Sequence, residues 1–224
     1  MHRIGYGTMG RGVEISDSTL AYLAHASGVA LFGGSFDPVH RGHLAIAEQV
    51  LALDGVDRVI FIPSAQSPLK EAGHCASAED RLAMLHLATQ RDAFDVDTSE
   101  LYRGGISYSA DTVRAYRKVF SGNLYWVLGA DQFYQLKHWH DYAYLLESVH
   151  FLVYPREGFP FTKAPVYHSK AKGYTLLNLP LWSMSSTVIR KHCQQQSSIE
   201  EYVPKAVADY IHKHRIYPSI PEQS

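Results

Sequence analysis

The sequence predicts an α/β fold with a mostly parallel sheet covered by helices on both faces. Three observations carry that expectation. Short apolar runs recur along the chain with stretches of helical periodicity between them, the pattern of βαβ units. Most of the runs stop at glycine or proline, as buried strands ending in tight turns do. With 46 % apolar and 19 % charged residues, the chain can build a sizeable core.

The first strand is Val29-Ala30-Leu31-Phe32, which stops at Gly33-Gly34. A helix follows over His43 to Leu51, with Leu44, Ala47 and Leu51 at helical spacing. Val59 to Ile62, closed by Pro63, is the second strand. Ser77 followed by Glu79 and Asp80 marks a helix start, and Leu82, Leu85 and Ala88 continue one face. Phe94 to Leu101 alternates weakly and predicts a third strand. Ser109 to Phe120 is amphipathic, with Val113, Tyr116 and Phe120 on one side. Leu124 to Leu128, closed by Gly129, is the fourth strand, and a short helix spans Asp141 to Ser148. His150 to Tyr154 and Tyr174 to Leu179 are the last two strands. Ser185 to Gln195 forms a helix, and Pro204 opens another with Val207, Tyr210 and Ile211 inward. Gly158 to Gly173 is expected as a surface loop. Ligands of such sheets bind at the carboxyl ends of strands, where Gly33-Gly34 and Gly129 fall.

A chain of 224 residues is one domain, with or without an appendage. The expected organisation is an extension over 1–28, one domain over 29–217 and a tail over 218–224. The extension is polar, carries Glu14 and Asp17, and lacks the apolar stretch of a signal peptide. Lysine plus arginine number 21 against 22 acidic residues, which argues against a broad basic surface for nucleic acid. No apolar run approaches the ~18 residues that span a bilayer. Cys75 and Cys193 are distant in sequence and form no CxxC, which fits a reducing, cytoplasmic setting. The composition is silent on oligomeric state.

The strongest chemical signal is the string from Gly33 to His43, GGSFDPVHRGH. Two glycines let backbone N–H groups approach a phosphate with no Cβ in the way. The helix that follows points its free N–H groups at the same place. His40 and His43 are three apart and share a face of its first turn, so both can donate to phosphate oxygens as charge builds. The second signal is Ser185-Ser186-Thr187-Val188-Ile189-Arg190. Its hydroxyls can cap a helix or hold the other end of a polyphosphate, and the planar fork of Arg190 suits phosphate oxygens. His138 and His140 do not make a metal site, because residues two apart on a helix diverge and no acidic or thiol partner is evident. Asp95, Asp97 and Glu100 are expected to form a solvated strand edge.

In this order the two strings resemble the nucleotidyltransferases with an HxGH motif and a C-terminal SSTxxR motif. Four further segments resemble the bacterial nicotinate-mononucleotide adenylyltransferases: Phe61 to Lys70, Ser107 to Thr112, Leu128 to Asp131 with Trp139, and Val153 to Gly158. The matches span about residues 29–217. The resemblance implies a Rossmann-like fold and transfer of an adenylyl group from ATP to nicotinate mononucleotide with release of pyrophosphate, a step of NAD biosynthesis. It implies His40, His43 and Arg190 as catalytic residues. It implies Gly33, Gly34, Ser35, Phe36, Lys70, Asp131, Ser185, Ser186, Thr187 and Ile189 around ATP. Tyr108, Ser109 and Trp139 would take the mononucleotide, Trp139 by stacking on the pyridine ring. Mg²⁺ would arrive with ATP and be held mainly by phosphates, with no protein ligand set of its own. Two departures from the family pattern stand out: Leu69 replaces its histidine before Lys70, and His140 stands where it has an aromatic. A pantetheine-phosphate adenylyltransferase and a catalytically silent nucleotide-binding module are the alternatives.

Overall fold

A computed structural model describes residues 15, 17–66, 73–159, 172–181 and 184–218. Its centre is a six-stranded, all-parallel sheet in the order β3-β2-β1-β4-β5-β6. The strands are β1 (Gly28–Gly34), β2 (Arg58–Pro63), β3 (Phe94–Val96), β4 (Asn123–Gly129), β5 (His150–Tyr154) and β6 (Tyr174–Leu176). The helices are α1 (Asp17–Leu23), α2 (Arg41–Leu51), α3 (Ala78–Ala88), α4 (Ser99–Arg103), α5 (Ser109–Val119), α6 (Ala130–Tyr134), α7 (Tyr142–Ser148), α8 (Ser186–Gln194) and α9 (Lys205–His214). The chain begins its sheet in the middle, at β1, and reverses its direction of travel across the sheet between β1 and β4. That reversal leaves a crevice at the carboxyl ends of the two central strands.

Strand side chains alternate between two cores. Ala30, Phe32, Val59, Phe61, Val127 and Leu152 face α2, α3, α8 and α9, meeting Ile46, Met84, Leu85, Ile189 and Val207. Val29, Leu31, Ile60, Ile62, Trp126 and Phe151 face the other way, onto Val113 and Tyr116 of α5, Phe133 of α6 and Leu145 of α7. Burial on both faces is why the central strands are continuous apolar runs instead of alternating ones. Ser77 caps α3 by accepting from the Asp80 N–H at 3.0 Å, as its spacing predicts.

The structure revises four expectations. The third strand is only Phe94–Val96; just past it the Asp97 N–H still donates to the Phe61 carbonyl at 2.9 Å, and the Asp97 carboxylate accepts the Ser99 N–H at 2.7 Å as the chain turns into α4. The sixth strand ends at Leu176 and is exposed along its length. The acidic cluster is not a solvated edge: Asp97 is 1 % and Glu100 4 % exposed. Asp97 accepts from the Tyr116 hydroxyl at 2.6 Å, and Glu100 from the Thr112 hydroxyl at 2.5 Å. Lastly, packing does not begin at residue 29. Leu23 of α1 is buried in the α5-side core, and Ile15, Leu20 and Ala26 pack against it. The N–H groups of Ser27 and Gly28 both donate to Asp57, at 2.5 and 3.0 Å. One short amphipathic turn in a polar stretch carries too little periodicity to announce a helix. Most of the expected loop over Gly158 to Gly173, and the tail beyond Pro218, lie outside the described residues.

Leu23→Ala should lower unfolding stability by about 2–5 kcal/mol, the scale for a buried leucine. Urea midpoints of both proteins would measure it; an unchanged midpoint would make α1 dispensable.

Candidate active site

The crevice between β1 and β4 opens into a cavity of about 700 Å³. Its floor is the end of β1. A Cβ on Gly33 would come within 3.0 Å of the Trp126 ring, and one on Gly34 within 2.9 Å of the Phe36 ring. Only glycine lets the strand end this close to its neighbours. Phe36 then adopts a left-handed backbone, φ +46°, a strained state for a side-chain-bearing residue. Packing holds it there: its ring is 1 % exposed, edge-on to Phe32, Phe61 and the His43 imidazole.

Asp37 anchors the turn. Its carboxylate accepts from the N–H groups of Cys75 and Ala76, at 2.7 and 3.1 Å, and from the Tyr217 hydroxyl at 2.7 Å. Its own carbonyl takes a hydrogen bond from Arg190 Nη1 at 2.7 Å. The next carbonyl, of Pro38, takes one from the Ser186 hydroxyl at 2.9 Å. Residues 37, 75, 186, 190 and 217 are thereby tied to one turn.

His40 and His43 form a reciprocal box at the start of α2. His40 Nδ1 accepts the His43 N–H at 3.3 Å, and His43 Nδ1 accepts the His40 N–H at 3.2 Å. With Nδ1 an acceptor in each ring, a neutral imidazole carries its proton on Nε2. The rings stack 3.7 Å apart at 21°, and both line the cavity. Burial, reinforced by the Arg156 cation, pulls the His40 imidazole down to about 3, so it is neutral at neutral pH.

Most of the residues singled out in the sequence meet here. Gly33, Gly34, Ser35, Phe36, His40, His43, Asp131, Ser185, Ser186, Thr187 and Arg190 line the cavity, and so do Tyr108, Ser109 and Trp139. Ser185 lines the cavity and also caps α8 by accepting the Val188 N–H at 3.3 Å. Arg190 Nη2 reaches the Thr187 hydroxyl at 3.2 Å. Ile189 is a correction: it is fully buried in the core and its side chain stands away from the cavity, because that helical position faces α9's side of the sheet. Lys70 and Leu69 lie outside the described residues. His140 packs on Tyr108, ring centres 4.5 Å apart. The Trp139 Nε1 and Asp131 Oδ1 atoms are buried without a hydrogen-bond partner.

Sequence reasoning assigned no role to Arg156 or Glu100, though both line the cavity. Arg156 follows β5, and its Nε lies 3.7 Å from Asp131 Oδ1. Its position just past a strand at the crevice was the available signal. Burial pushes the Glu100 carboxyl up, opposed by hydrogen bonds from Thr112 and Ser107. No group of three or more potential metal ligands occurs among the described residues, nor any helix long and apolar enough to cross a membrane. Two imidazole donors, two guanidinium groups and strand-end N–H groups around one space make a polyanion site.

Fold and site together define a nucleotidyltransferase. Residues 31–192 match the model of the cytidylyltransferase-like family, and the chain belongs to that family. It is 40 % identical over 193 residues to a probable nicotinate-nucleotide adenylyltransferase of Opitutus terrae, covering 84 % of this chain and 97 % of the relative. A Treponema pallidum protein of the same description is 40 % identical over 205 residues, covering 85 % and 99 %. Among solved structures, the fold is similar to Plasmodium falciparum nicotinic acid mononucleotide adenylyltransferase complexed with NaAD. The TM-score is 0.68 at 19 % identity, covering 85 % of this chain and 97 % of that one.

The His40 environment makes stability pH-dependent. Its folded value lies below its unfolded one, so the unfolded chain takes up a proton first as pH falls. Stability should therefore decline from about pH 6.5 toward 3, by up to about 1.4 kcal/mol per pH unit from this group. Urea unfolding of wild type and His40→Gln from pH 4 to 7 would test it; equal slopes would exclude the imidazole as the source.

Proposed function

We infer that this chain transfers the adenylyl group of ATP to nicotinate mononucleotide, giving the dinucleotide and pyrophosphate. The observation that carries the reading is the meeting of two kinds of group on one cavity. The cationic and N–H-rich groups suit a triphosphate, and the aromatic rings with a bare helix start suit a pyridine carboxylate. The 5′-phosphate of the mononucleotide is already an anion, so no covalent enzyme intermediate is required. It attacks the α-phosphorus of ATP, the α–β bridging bond breaks, and pyrophosphate leaves with the electron pair. The protein's work is alignment and charge neutralisation.

His43 is assigned as the main stabiliser of the developing charge. What supports it is a ring lining the cavity with Nδ1 occupied by the His40 N–H, which turns a neutral ring's donor, Nε2–H, to other partners. His40, itself neutral, adds a second donor and locks the first. Arg190 is assigned to the phosphates, its guanidinium oriented by the Asp37 carbonyl at Nη1 and the Thr187 hydroxyl at Nη2. Arg156 is added as a second cation lining the cavity. Mg²⁺ is assigned to the ATP itself. Asp131 Oδ1, without a hydrogen bond though 3.7 Å from Arg156 Nε, is a hard oxygen that fits a water of such an ion. When bound, the ion neutralises charge on the phosphate oxygens. A cytoplasmic location follows from this metabolic role and belongs to the same proposal.

The pyridine carboxylate is assigned to the start of α5. No side chain caps that helix, and Tyr108 and Ser109 at its start line the cavity. A carboxylate only accepts, whereas an amide would press its own donors against these N–H groups.

Pyrophosphate release from ATP with nicotinate mononucleotide tests the whole reading; turnover with phosphopantetheine alone would refute it. His43→Ala should lower kcat about 10²–10³-fold, the scale for one transition-state donor. A folded variant with more than half of wild-type kcat would remove His43 from the chemistry. Arg190→Lys should impair both kcat and the KM for ATP, because a point charge cannot replace the fork. The acid should be preferred over the amide mononucleotide by at least about tenfold in kcat/KM, one unpaired buried donor's worth. Side-by-side initial rates would show it, and parity would discard the helix-start pocket.

A further inference from the structure

The turn that carries Gly33 to Phe36 has a front, lining the cavity, and a back, covered by α3. Arg81 of α3 lies on the back. It is 1 % exposed, the largest side chain among the fully buried described residues, and it does not reach the cavity. Its Nη1 donates to the Ser35 carbonyl at 2.8 Å, while its Nε is buried with no hydrogen-bond partner. Burial works against its charge, and the neighbouring Asp37, Tyr217 and Glu79 work for it. An arginine keeps its proton in such surroundings. An apolar residue would fill the same space without the desolvation cost of a buried cation. Among the described residues its one hydrogen bond is the one to Ser35.

That bond falls on the carbonyl of the Ser35–Phe36 peptide. The peptide is trans, since the one cis bond among the described residues is Asp37–Pro38. In a trans peptide the C=O and N–H point in opposite directions. With the Ser35 oxygen turned back to Arg81, the Phe36 N–H is turned forward, toward the cavity that both residues line. It makes no hydrogen bond with any described residue. A cation bound to the oxygen polarises the peptide and makes its N–H a stronger donor.

We propose that Arg81 is a positioning residue for the nucleotide phosphates: through the Ser35–Phe36 peptide it fixes and polarises the Phe36 N–H that binds a phosphate oxygen. It touches no substrate. The proposal deepens the adenylyl-transfer reading and rests on it, because the anion on that N–H is taken to be an ATP phosphate.

Wild-type protein is assayed first for pyrophosphate release; its silence would overturn the transfer reading rather than the role of Arg81. In Arg81→Lys, calorimetry with α,β-methylene-ATP should show binding weakened about tenfold, one strong hydrogen bond's worth. The KM for nicotinate mononucleotide should stay within about twofold. A general loosening of the fold would weaken both substrates alike, and that result overturns the proposal, as does unchanged analogue affinity in a folded variant. Should Arg81→Lys not fold, nuclear magnetic resonance of the wild type decides. On saturation with the analogue, the Phe36 amide proton should move downfield and the Arg81 guanidinium signal should shift. If neither moves, the proposal falls.

Discussion

The site depends on the fixation of one turn, residues 33–40, by groups that come from everywhere else in the chain. Asp37 is its centre. A carboxylate buried to 4 % exposure must have its lone pairs satisfied, and three donors from two distant segments do so. Those bonds cross 38, 39 and 180 residues of sequence. The same turn offers its outward carbonyls to Ser186 and Arg190. Loss of one donor would leave buried acceptors unpaired, a cost of about 1–3 kcal/mol each. The turn can therefore hold Phe36 in a left-handed backbone that an isolated peptide would abandon.

Topology explains why this turn is the functional one. The strand order reverses between β1 and β4, so no crossover covers the carboxyl ends of those strands. Gly34 ends one and Gly129 the other, and at both a Cβ would collide with neighbouring side chains. The crevice is thus open above and closely packed below. Helices α2 and α8 point their N-terminal turns toward it, and the charges that gather there are cationic or neutral donors, with Asp131 and Glu100 as the acidic exceptions.

Buried polar groups around the cavity are arranged in layers. His40 is neutral because burial outweighs its tendency to ionise, and its ring serves as a cap and a donor at once. Glu100, which lines the cavity, and Asp97 are held by Thr112 and Tyr116 of α5, which ties that helix to α4 and the residues leading into it. These carboxylates were misjudged from sequence because acidity is read as exposure. A hydroxyl twelve or nineteen residues away reverses that reading, and only folding brings it near.

The sequence by itself determined the class of fold, the strands β1, β2, β4 and β5 to within a residue or two, and the two strings that meet at the cavity. Those features are local: apolar runs, helical periodicity, and glycine or proline at a fixed offset are written in adjacent residues. It also marked most of the cavity wall, because backbone N–H groups and capping hydroxyls act close to where they occur in the chain. The tertiary structure alone decided that α1 belongs to the core, that Ile189 faces inward, that Arg156 and Glu100 reach the cavity, and that Arg81 backs the turn after β1. Each of these depends on which distant segments meet. Packing and hydrogen-bond satisfaction act between neighbours in space, and short helices such as α4 and α6 carry too few residues for a periodic pattern to foretell them.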